Sequence, residues 1–458
     1  MHYEKYADGT VKCIEDETPF ELPDGWAWER LTNLAAFSGG KTPSTSRREY
    51  WDGEVLWVTS KDMKSKYITS SQLRLSTLGA EQMQVYQPDT LLLVTRSGIL
   101  RHTLPIAILK ECATVNQDLK AIVLHMPELA EYIYACLKGM ESQLLLKYTK
   151  SGTTVENVNF DEFQRVLLPI APLHEARRII AATNDATQVV TAIENDKVAL
   201  AEYVAKTKDK ILDLAIHGQL VPQDSADEPA YVLLERIRAE KEELIKQGKI
   251  KRDKKESIIF RGDDNSYYEK VGEAVSCIDE LIPFELPEGW AWVRGYSCFS
   301  GMESKRPAGV DFDYIDIDSI DNRNHVITEP KHMAVHDAPS RASRAVRAGS
   351  VLFSLVRPYL QNIAYIPEEY SSCIASTGFY VCNSSGALIP EFMFYLMLSP
   401  YVVNGLNQFM KGDNSPSISK DDIENWLYPI PPIAEQKRIV IHVQKALEQT
   451  SLIASSLS

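Results

Sequence analysis

The sequence lacks long apolar runs, a secretory leader and paired cysteines. Apolar runs such as Leu91–Val94 fall far short of the ~18 residues that a membrane-spanning helix needs. Residues Met1–Lys5 do not place a basic stretch before an apolar one, so they are not typical of a secretory signal. Seven cysteines without a CxxC pair favour reduced thiols, and we expect a cytoplasmic protein with no membrane partner.

Positive charge is also scarce. The chain has 49 Lys and Arg against 63 Asp and Glu, which gives a net charge of −14. This balance argues against a protein that binds nucleic acid through its overall field, but it allows local basic faces or a partner that supplies positive charge. A length of 458 residues, with 44% hydrophobic and 24% charged residues, predicts a globular chain of two or more domains.

What the sequence does contain is an internal repeat. The matching segments are Tyr3–Lys5 and Tyr268–Lys270 (after a one-residue slip), Cys13-Ile14 and Cys277-Ile278, Pro19–Trp28 and Pro283–Trp292, and Pro169–Ile180 and Pro429–Val440. The chain is therefore a tandem duplication. Between these segments the halves differ, as in Gly39–Pro43 and Trp57–Met63 compared with Tyr314–Asn322. Because the flanking segments are similar and the sequences between them are dissimilar, the chain is expected to contain two modules that have the same role on different targets.

Each interior alternates short apolar runs with turn residues, which is typical of mixed α/β modules. Strands are predicted at four β-branched or aromatic runs, Leu91–Thr95, Ala121–Leu124, Val351–Val356 and Phe379–Cys382. Helical spacing predicts one helix in each half, over Glu128–Leu137 and Pro390–Leu398.

A long helix is predicted after each Pro-rich segment, the first running from about Glu175 to Ile216 with a length of about 60 Å. A coiled-coil seam with alternating spacings of four and three is formed by Ile179, Ala186, Val190, Ile193, Leu200 and Val204, and in the second half by Ile439, Val443, Ala446, Ile453 and Leu457. So long a helix is not stable alone, so we predict antiparallel pairing with a module at each end of a rod; two separate core helices are the alternative. The charged stretch 230–255 is typical of a solvated helix, with docking to a partner subunit as its alternative.

The leads Leu22–Trp26 and Leu286–Trp290, the two Pro-rich exits and the stretch Ile211–Gln223 resemble the specificity subunit of type I restriction-modification systems. The resemblance covers essentially the whole chain. It implies an α/β (α+β) fold in which two globular target-recognition domains, 1–172 and 263–430, are separated by long antiparallel coiled-coil helices. These helices belong to a central conserved region, 173–262, and a distal one, 431–458. The distal helix is short, about three heptads, which indicates a shortened or rearranged chain or a helix that is naturally short.

The resemblance also implies a division of labour. Each recognition domain would recognise half of a bipartite site in double-stranded DNA, and the chain itself would be non-catalytic, without a cofactor or metal. The partners would be two DNA methyltransferase (modification) subunits and restriction/translocase subunits, which would carry S-adenosylmethionine, ATP and Mg. The alternatives are a tandem protein-interaction scaffold or adhesion protein, and the specificity half of a combined restriction-methylation enzyme. Salt-sensitive DNA binding would separate the first alternative from the main hypothesis.

Other chemistry is weakly indicated. Ala35–Thr42 fits a relaxed phosphate loop, but a polar loop follows where a helix is needed. Asp89 with Asp118–Lys120 fits a loose nuclease pattern that the second half lacks. The acidic run 311–321 misses the glycine and glutamate of an EF-hand and is better interpreted as a strand with one wet face. Pro431–Ile433 lacks the polar and aromatic neighbours of a methyltransferase motif.

DNA contacts are predicted from cations, amides and hydroxyls in turns, because these groups bind base edges and phosphates. In the first module they are Lys41, Thr42, Arg47, Arg48, Lys61, Lys64, Arg96, Arg101, Lys147 and Lys150. In the second module they are Lys305, Arg306, Arg341, Arg344, Arg347, Arg357, Gln361, Lys411 and Asn414. Arg341, Arg344 and Arg347 would share one face if their segment were helical. The predicted rod limits the centres of the two half-sites to about 18 base pairs apart. The tryptophans of the two leads are predicted to be packing anchors.

Overall fold

The computed structural model describes residues 2–150, 156–249 and 256–456. It divides into two compact units, Met1–Glu194 and Asn195–Ser458. Leu457 of the predicted seam and residues 250–255 of the charged stretch lie outside the described residues. Among the helices of the described ranges, none is both long and apolar enough to cross a membrane.

The described residues of the first unit form fifteen strands and the start of a 44-residue helix. The strands are β1 Tyr3–Lys5, β2 Val11–Cys13, β3 Ala27–Arg30, β4 Ala35–Gly39, β5 Trp51–Val58, β6 Tyr67–Ile68, β7 Leu73–Leu75, β8 Leu91–Val94, β9 Arg96–Ser97, β10 Ile106–Leu109, β11 Ala113–Val115, β12 Leu119–Leu124, β13 Thr149–Lys150, β14 Glu156–Val158 and β15 Leu167–Ile170. The helices are α1 Leu31–Leu34, α2 Thr77–Ala80, α3 Ala130–Gly139, α4 Glu141–Tyr148, α5 Phe160–Phe163 and α6 Leu173–Ile216, which continues into the second unit.

The core of the first unit lies on both faces of a five-stranded sheet with the order β4-β12-β8-β10-β6. Leu91 and Leu93 of β8 share a buried cluster with α3, whereas Leu92 and Val94 belong to a second cluster. Because successive side chains of a strand point to opposite faces, a strand covered on both sides is apolar at every position. This explains the uninterrupted run Leu91–Val94.

The second unit repeats this plan. Its helices after α6 are α7 Ala230–Lys246, α8 Gly295–Cys298, α9 Pro390–Leu398, α10 Pro400–Asn407, α11 Lys420–Asn425 and α12 Ile433–Ser455. Its strands are β16 Ser257–Arg261, β17 Tyr267–Val271, β18 Ala274–Cys277, β19 Ala291–Arg294, β20 Asp311–Ile315, β21 Ile320–Asp321, β22 Val326–Ile327, β23 Lys331–Ala334, β24 Ala342–Ala345, β25 Val351–Ser354, β26 Ile363–Tyr365, β27 Ile374–Ser376, β28 Phe379–Cys382 and β29 Leu427–Ile430. The central strand β25 lies between β26 and β28 and is buried on both faces, like β8. The four predicted strands and two predicted module helices are confirmed, with small shifts of their bounds.

The repeated segments of the sequence pair with each other inside each unit. Strand β3 pairs antiparallel with β15, which places Trp28 opposite Pro169. Strand β19 pairs antiparallel with β29, which places Trp292 opposite Pro429. We call each of these two-stranded pairs the frame of its unit. The repeated sequence segments therefore correspond to the frames, and the chain enters and leaves each module on the two adjacent strands of its frame.

The predicted first long helix is confirmed as α6, which has 44 residues. Within the second unit, Leu212 and Ile216 at its end share a buried cluster with Ile439 and Val443 of the 23-residue helix α12. Val204, about two turns earlier in α6, and Thr450, two turns later in α12, are again buried. This matching burial indicates that the two helices continue side by side in opposite directions.

The middle of α6 has a different environment. Val190, Ile193 and Leu200 are 54%, 61% and 39% exposed, and Ala186 is exposed too, so this part of the predicted seam is largely open to solvent. Ile179, by contrast, packs against the core of the first unit. In α12, Ala446 is half-buried and Ile453 is 47% exposed. Pairing at the exposed positions stays a prediction.

Candidate nucleic-acid interface

Both frames are fixed by the same tryptophan–glutamate hydrogen bond. Trp26 Nε1 donates to Glu175 at 3.2 Å, and Trp290 Nε1 donates to Glu435 at 2.9 Å. Gln223 donates a second hydrogen bond to Glu435 at 2.7 Å. Burial raises the pKa of the Glu435 carboxyl above its ordinary value. These bonds join the first tryptophan of each lead to the helix that follows the module, so the predicted role of Trp26 and Trp290 as anchors is confirmed.

An arginine–glutamate pair is repeated in the same way. Arg30 Nη2 lies 2.6 Å from Glu4, and Arg294 Nη2 lies 2.7 Å from Glu269. Arg30 also contacts Glu17, and hydrogen bonds from Arg30 and Lys12 lower the pKa of Glu17 to about 2. The two units therefore hold their frames with matched contacts, although most of their interiors differ in sequence.

In the first unit, the loop 115–118 brings several predicted DNA contacts together. The Lys41 backbone N–H donates to the Val115 carbonyl at 3.1 Å, and Thr42 Oγ1 donates to Gln117 at 2.5 Å. The same loop accepts from the backbone of Thr95 and donates to that of Val58, so the turns that carry Arg96 and Lys61 adjoin it. Strand pairing then aligns Arg96 with Asn157, and Asn157 with Lys150. We call Lys41, Thr42, Lys61, Arg96 and Lys150 the first cluster.

The remaining predicted contacts of the first unit are exposed and make local contacts. Arg47 donates to the Tyr50 hydroxyl at 2.8 Å, and Arg48 lies in the turn before β5. Lys64 follows β5, and Lys147 lies on α4 with its ammonium 5.4 Å from the Tyr148 ring centre. Arg101 forms an ion pair with Glu156 at 2.9 Å.

In the second unit, Arg357 is the centre of the corresponding group. Its backbone N–H donates to Pro416 O at 2.8 Å, and its Nη2 donates to Asn414 O at 2.9 Å. Lys411 pairs with Ser417 in the same hairpin, and Gln361 lies at the other end of the short turn 358–360. We call Arg357, Gln361, Lys411 and Asn414 the second cluster.

Arg341 lies at the opposite side of this turn, where it lines an open cavity of about 480 Å³ together with Leu360 and Asn322. The segment 341–347 is not helical, so the proposed shared helical face of its three arginines is wrong. Arg344 lies in β24, with Arg341 just before this strand and Arg347 after it. The pairing of β24 with β27 outweighs the helical propensity of alanine and arginine.

Two predicted cations lie elsewhere in the second unit. Lys305 donates to Ser372 O at 2.8 Å and neighbours Arg344, which pairs with Ser304. Arg306 is exposed beside Lys305. The sequence also missed two amides that the structure places in these surfaces, Gln117 and Asn157, because only sheet pairing brings their loops to the cations.

The other chemistry considered from the sequence finds different environments. Strand β4 leads into an irregular loop and not into a helix, so Ala35–Thr42 does not have the surroundings of a phosphate loop. Part of the acidic run forms strand β20, as predicted, and His332 lies 2.9 Å from Asp313. Over the described ranges, no group of three or more His, Cys, Asp or Glu side chains is placed to hold a metal.

Comparison with known proteins agrees with this architecture. The profile of the type I restriction modification DNA specificity domain matches residues 23–202. The EcoAI specificity subunit of Escherichia coli is 24% identical over 95% of this chain and 79% of its own length. Residues 23–202 therefore match the specificity domain, and the chain is similar over nearly its whole length to a type I restriction enzyme specificity subunit.

Other specificity subunits match parts of this chain. The EcoR124I/EcoR124II specificity subunit of Escherichia coli is 30% identical over 39% of this chain, and the match spans only 43% of that protein. A chain from a solved structure of a type I R-M system matches 96% of this chain and 94% of its own length, with a TM-score of 0.55 and 17% identity. That likeness supports the fold: two sheet-rich modules in tandem with the long helix α6 between them.

Proposed function

We propose that this specificity subunit selects the DNA sequence on which a multi-subunit methyltransferase and endonuclease acts. Each module recognises one half of a two-part site in double-stranded DNA. The observation that carries the proposal is the duplicated frame, because matched contacts hold two modules whose exposed cation and amide clusters differ. Identical supports with different surfaces are what two recognition events by one chain require.

The chemistry of the clusters favours DNA. Arginine and lysine bind phosphates and guanine, and asparagine and glutamine bind adenine. The first cluster carries three lysines and one arginine with Gln117 and Asn157 beside them, and the second carries Arg357 and Lys411 with Gln361 and Asn414. Because the whole chain has a net charge of −14, binding depends on these local surfaces.

Catalysis belongs to partner subunits in this proposal, and the specificity subunit is not itself an enzyme. Two methyltransferase subunits would bring S-adenosylmethionine, and restriction/translocase subunits would bring ATP and Mg, in the cytoplasm. The exposed apolar side chains of Val190, Ile193 and Leu200 on α6 support docking there, because such a stripe is stabilised when a partner helix covers it.

The test is to express the chain with the methyltransferase subunit encoded beside it in a host without DNA methylation, and to map modified adenines. We expect one two-part motif with a constant gap. Replacing residues 31–168 by another module should change only one half of that motif. A continuous motif, or a stable complex that modifies no defined sequence, would contradict the proposal. A chain that neither binds the methyltransferase nor binds DNA in a salt-dependent manner would instead be an interaction scaffold.

A further inference from the structure

In each module a short 3₁₀ turn lies between an inner strand of a sheet and the antiparallel neighbour of that strand. In the first unit, β8 leads through Gly98–Arg101 to β10, its antiparallel neighbour. In the second unit, β25 leads through Pro358–Leu360 to β26, again its antiparallel neighbour. We call these two segments the tip turns. The tip turns occupy equivalent positions in the two modules, so they are a repeated structural element although their sequences share little.

A second hairpin holds the start of each tip turn. In the first unit, β9 pairs with β14, with Ser97 opposite Glu156. In the second unit, Val356 pairs with Ser417, and the Arg357 N–H donates to the neighbouring Pro416 carbonyl at 2.8 Å. The tip turns are therefore fastened on a rigid sheet, which is the support that a recognition element needs.

The backbone of the second tip turn supports a functional role. Arg357 has a φ of 48° and Gln361 a φ of 53°, so both ends of the turn lie in the left-handed region. Residues with side chains adopt this conformation rarely, and such positions are concentrated at functional sites. Asn322 Nδ2 donates to the Leu360 carbonyl at 2.8 Å and holds the turn from its other side.

Each tip turn exposes a large apolar side chain between polar neighbours, and in the second turn Leu360, which is 40% exposed, lies beside Tyr359 and lines the open cavity with Arg341. Ile99 is 51% exposed between Arg96 and Arg101. Tyr359 is 46% exposed between Arg357 and Gln361. An exposed apolar residue flanked by cations or amides suits DNA, because the flanking groups bind phosphates and base edges while the apolar group contacts a thymine methyl or stacks on a base. A protein-binding surface would have fewer charges at its centre.

We infer that Ile99 and Tyr359 are specificity-determining residues, each contacting bases in the half-site of its own module. The inference rests on the proposed function and deepens it. The different tip residues, an aliphatic chain and a phenol, are presented at equivalent places by equivalent supports. They therefore give the two modules different base preferences without any change of the frame.

The experiment compares the modification motifs of Ile99→Ala and Tyr359→Ala with the motif of the unchanged chain, using the complex and host described above. The matched controls are Leu146→Ala and Val310→Ala, which remove side chains that are 88% and 79% exposed outside the tip turns. Tyr359→Phe keeps the ring and tests whether stacking or the hydroxyl is needed. Thermal unfolding of each variant confirms that the chain still folds.

We expect Ile99→Ala to relax base preference in one half of the motif and Tyr359→Ala in the other, by about 5- to 100-fold at the affected position. The controls should leave the motif unchanged. If folded Ile99→Ala and Tyr359→Ala variants keep the full motif, the inference is wrong while the proposed function stands. The inference is also wrong if these variants no longer bind the methyltransferase subunit and modify no adenine, since the tips would then contact protein. If the unchanged chain yields no two-part motif, the proposed function itself fails.

Discussion

Glu435 of α12 is a deeply buried charged residue among the contacts that hold the second frame, and its role can be tested by two substitutions. Its carboxylate is 1% exposed and accepts hydrogen bonds from Trp290 and Gln223. Glu435→Ala should lower the free energy of unfolding by about 1 to 3 kcal/mol, because two donors lose their acceptor. Glu435→Gln keeps an acceptor and should cost less. Urea unfolding at pH 7 measures both, and Glu175→Ala is the matched control because its contact with Trp26 is more exposed.

The pKa shift of Glu435 adds a pH dependence of known sign. Burial raises the pKa of Glu435 in the folded state above its ordinary value, so the folded state holds the proton more tightly than the unfolded state. The free energy of unfolding that protonation of Glu435 adds is fully present below the pKa of this group in the unfolded state. It is lost as the pH rises through the pKa of the group in the folded state. The unchanged chain should therefore gain stability relative to Glu435→Gln as the pH falls from 7 toward about 4.5. A difference that is independent of pH would contradict the shift.

The candidate cations and amides were selected from the sequence by residue type alone, and their contact with DNA stays a prediction. The grouping of these residues on the surface could not be predicted from the sequence. Lys41, Lys61 and Arg96 meet around the loop 115–118 because β11, β5 and β12 place their ends together, and such pairings join residues far apart in the chain. Ile99 and Tyr359 were missed for a related reason, since an apolar side chain in a sequence favours a buried position until the fold places it at the tip of a turn.

Among the helices and strands, long periodic or apolar segments were predictable, as α6, α9, β8 and β28 illustrate. The periodicity that builds a long helix is local, so it survives in the sequence. Strands of two or three residues, such as β9, carry no periodic signal and exist only through their partners. The segment 341–347 shows the same limit, because pairing with β27 decided its conformation.

The end of α6 provides a test at a single glycine. Gly218 has a φ of 67°, and a Cβ atom there would lie 2.4 Å from Pro287 and 3.1 Å from Trp290. Gly248, just after α7, has a φ of 70° with open space around it. Gly248→Ala should cost about 1 kcal/mol of unfolding free energy through backbone strain alone. Gly218→Ala should cost about 2 to 4 kcal/mol, because overpacking against the lead of the second module is added. Equal costs, measured by urea unfolding, would mean that α6 does not pack on that lead.

The duplication was the feature of the whole chain that the sequence predicted best, because repeated segments can be compared with each other without a structure. Most of the repeated segments contribute to a frame or to a contact that fixes it, as Glu4 and Glu269 do in their ion pairs with Arg30 and Arg294. The extent of helix pairing was harder to predict. A seam pattern shows which face of a helix is apolar, but not whether a partner helix is long enough to cover it, and Ile193 is exposed in α6.

The net charge of −14 makes salt dependence the most informative measurement on the whole molecule. If local clusters contact phosphates, the logarithm of the affinity for DNA should fall linearly with the logarithm of salt concentration, by a slope of about 0.9 for each phosphate bound. Arg357→Ala should reduce this slope by about 1, and Arg357→Lys should restore it because the charge is kept. Lys246→Ala, which removes an exposed cation of α7 outside both clusters, is the control and should leave the slope unchanged.

Fluorescence anisotropy of a labelled duplex carrying the two-part site, titrated with the assembled complex between about 50 and 200 mM salt, gives the slope. A slope near zero would mean that the acidic chain does not use its cations on the DNA backbone. A normal slope that Arg357→Ala leaves unchanged would place the phosphate contacts outside the second cluster.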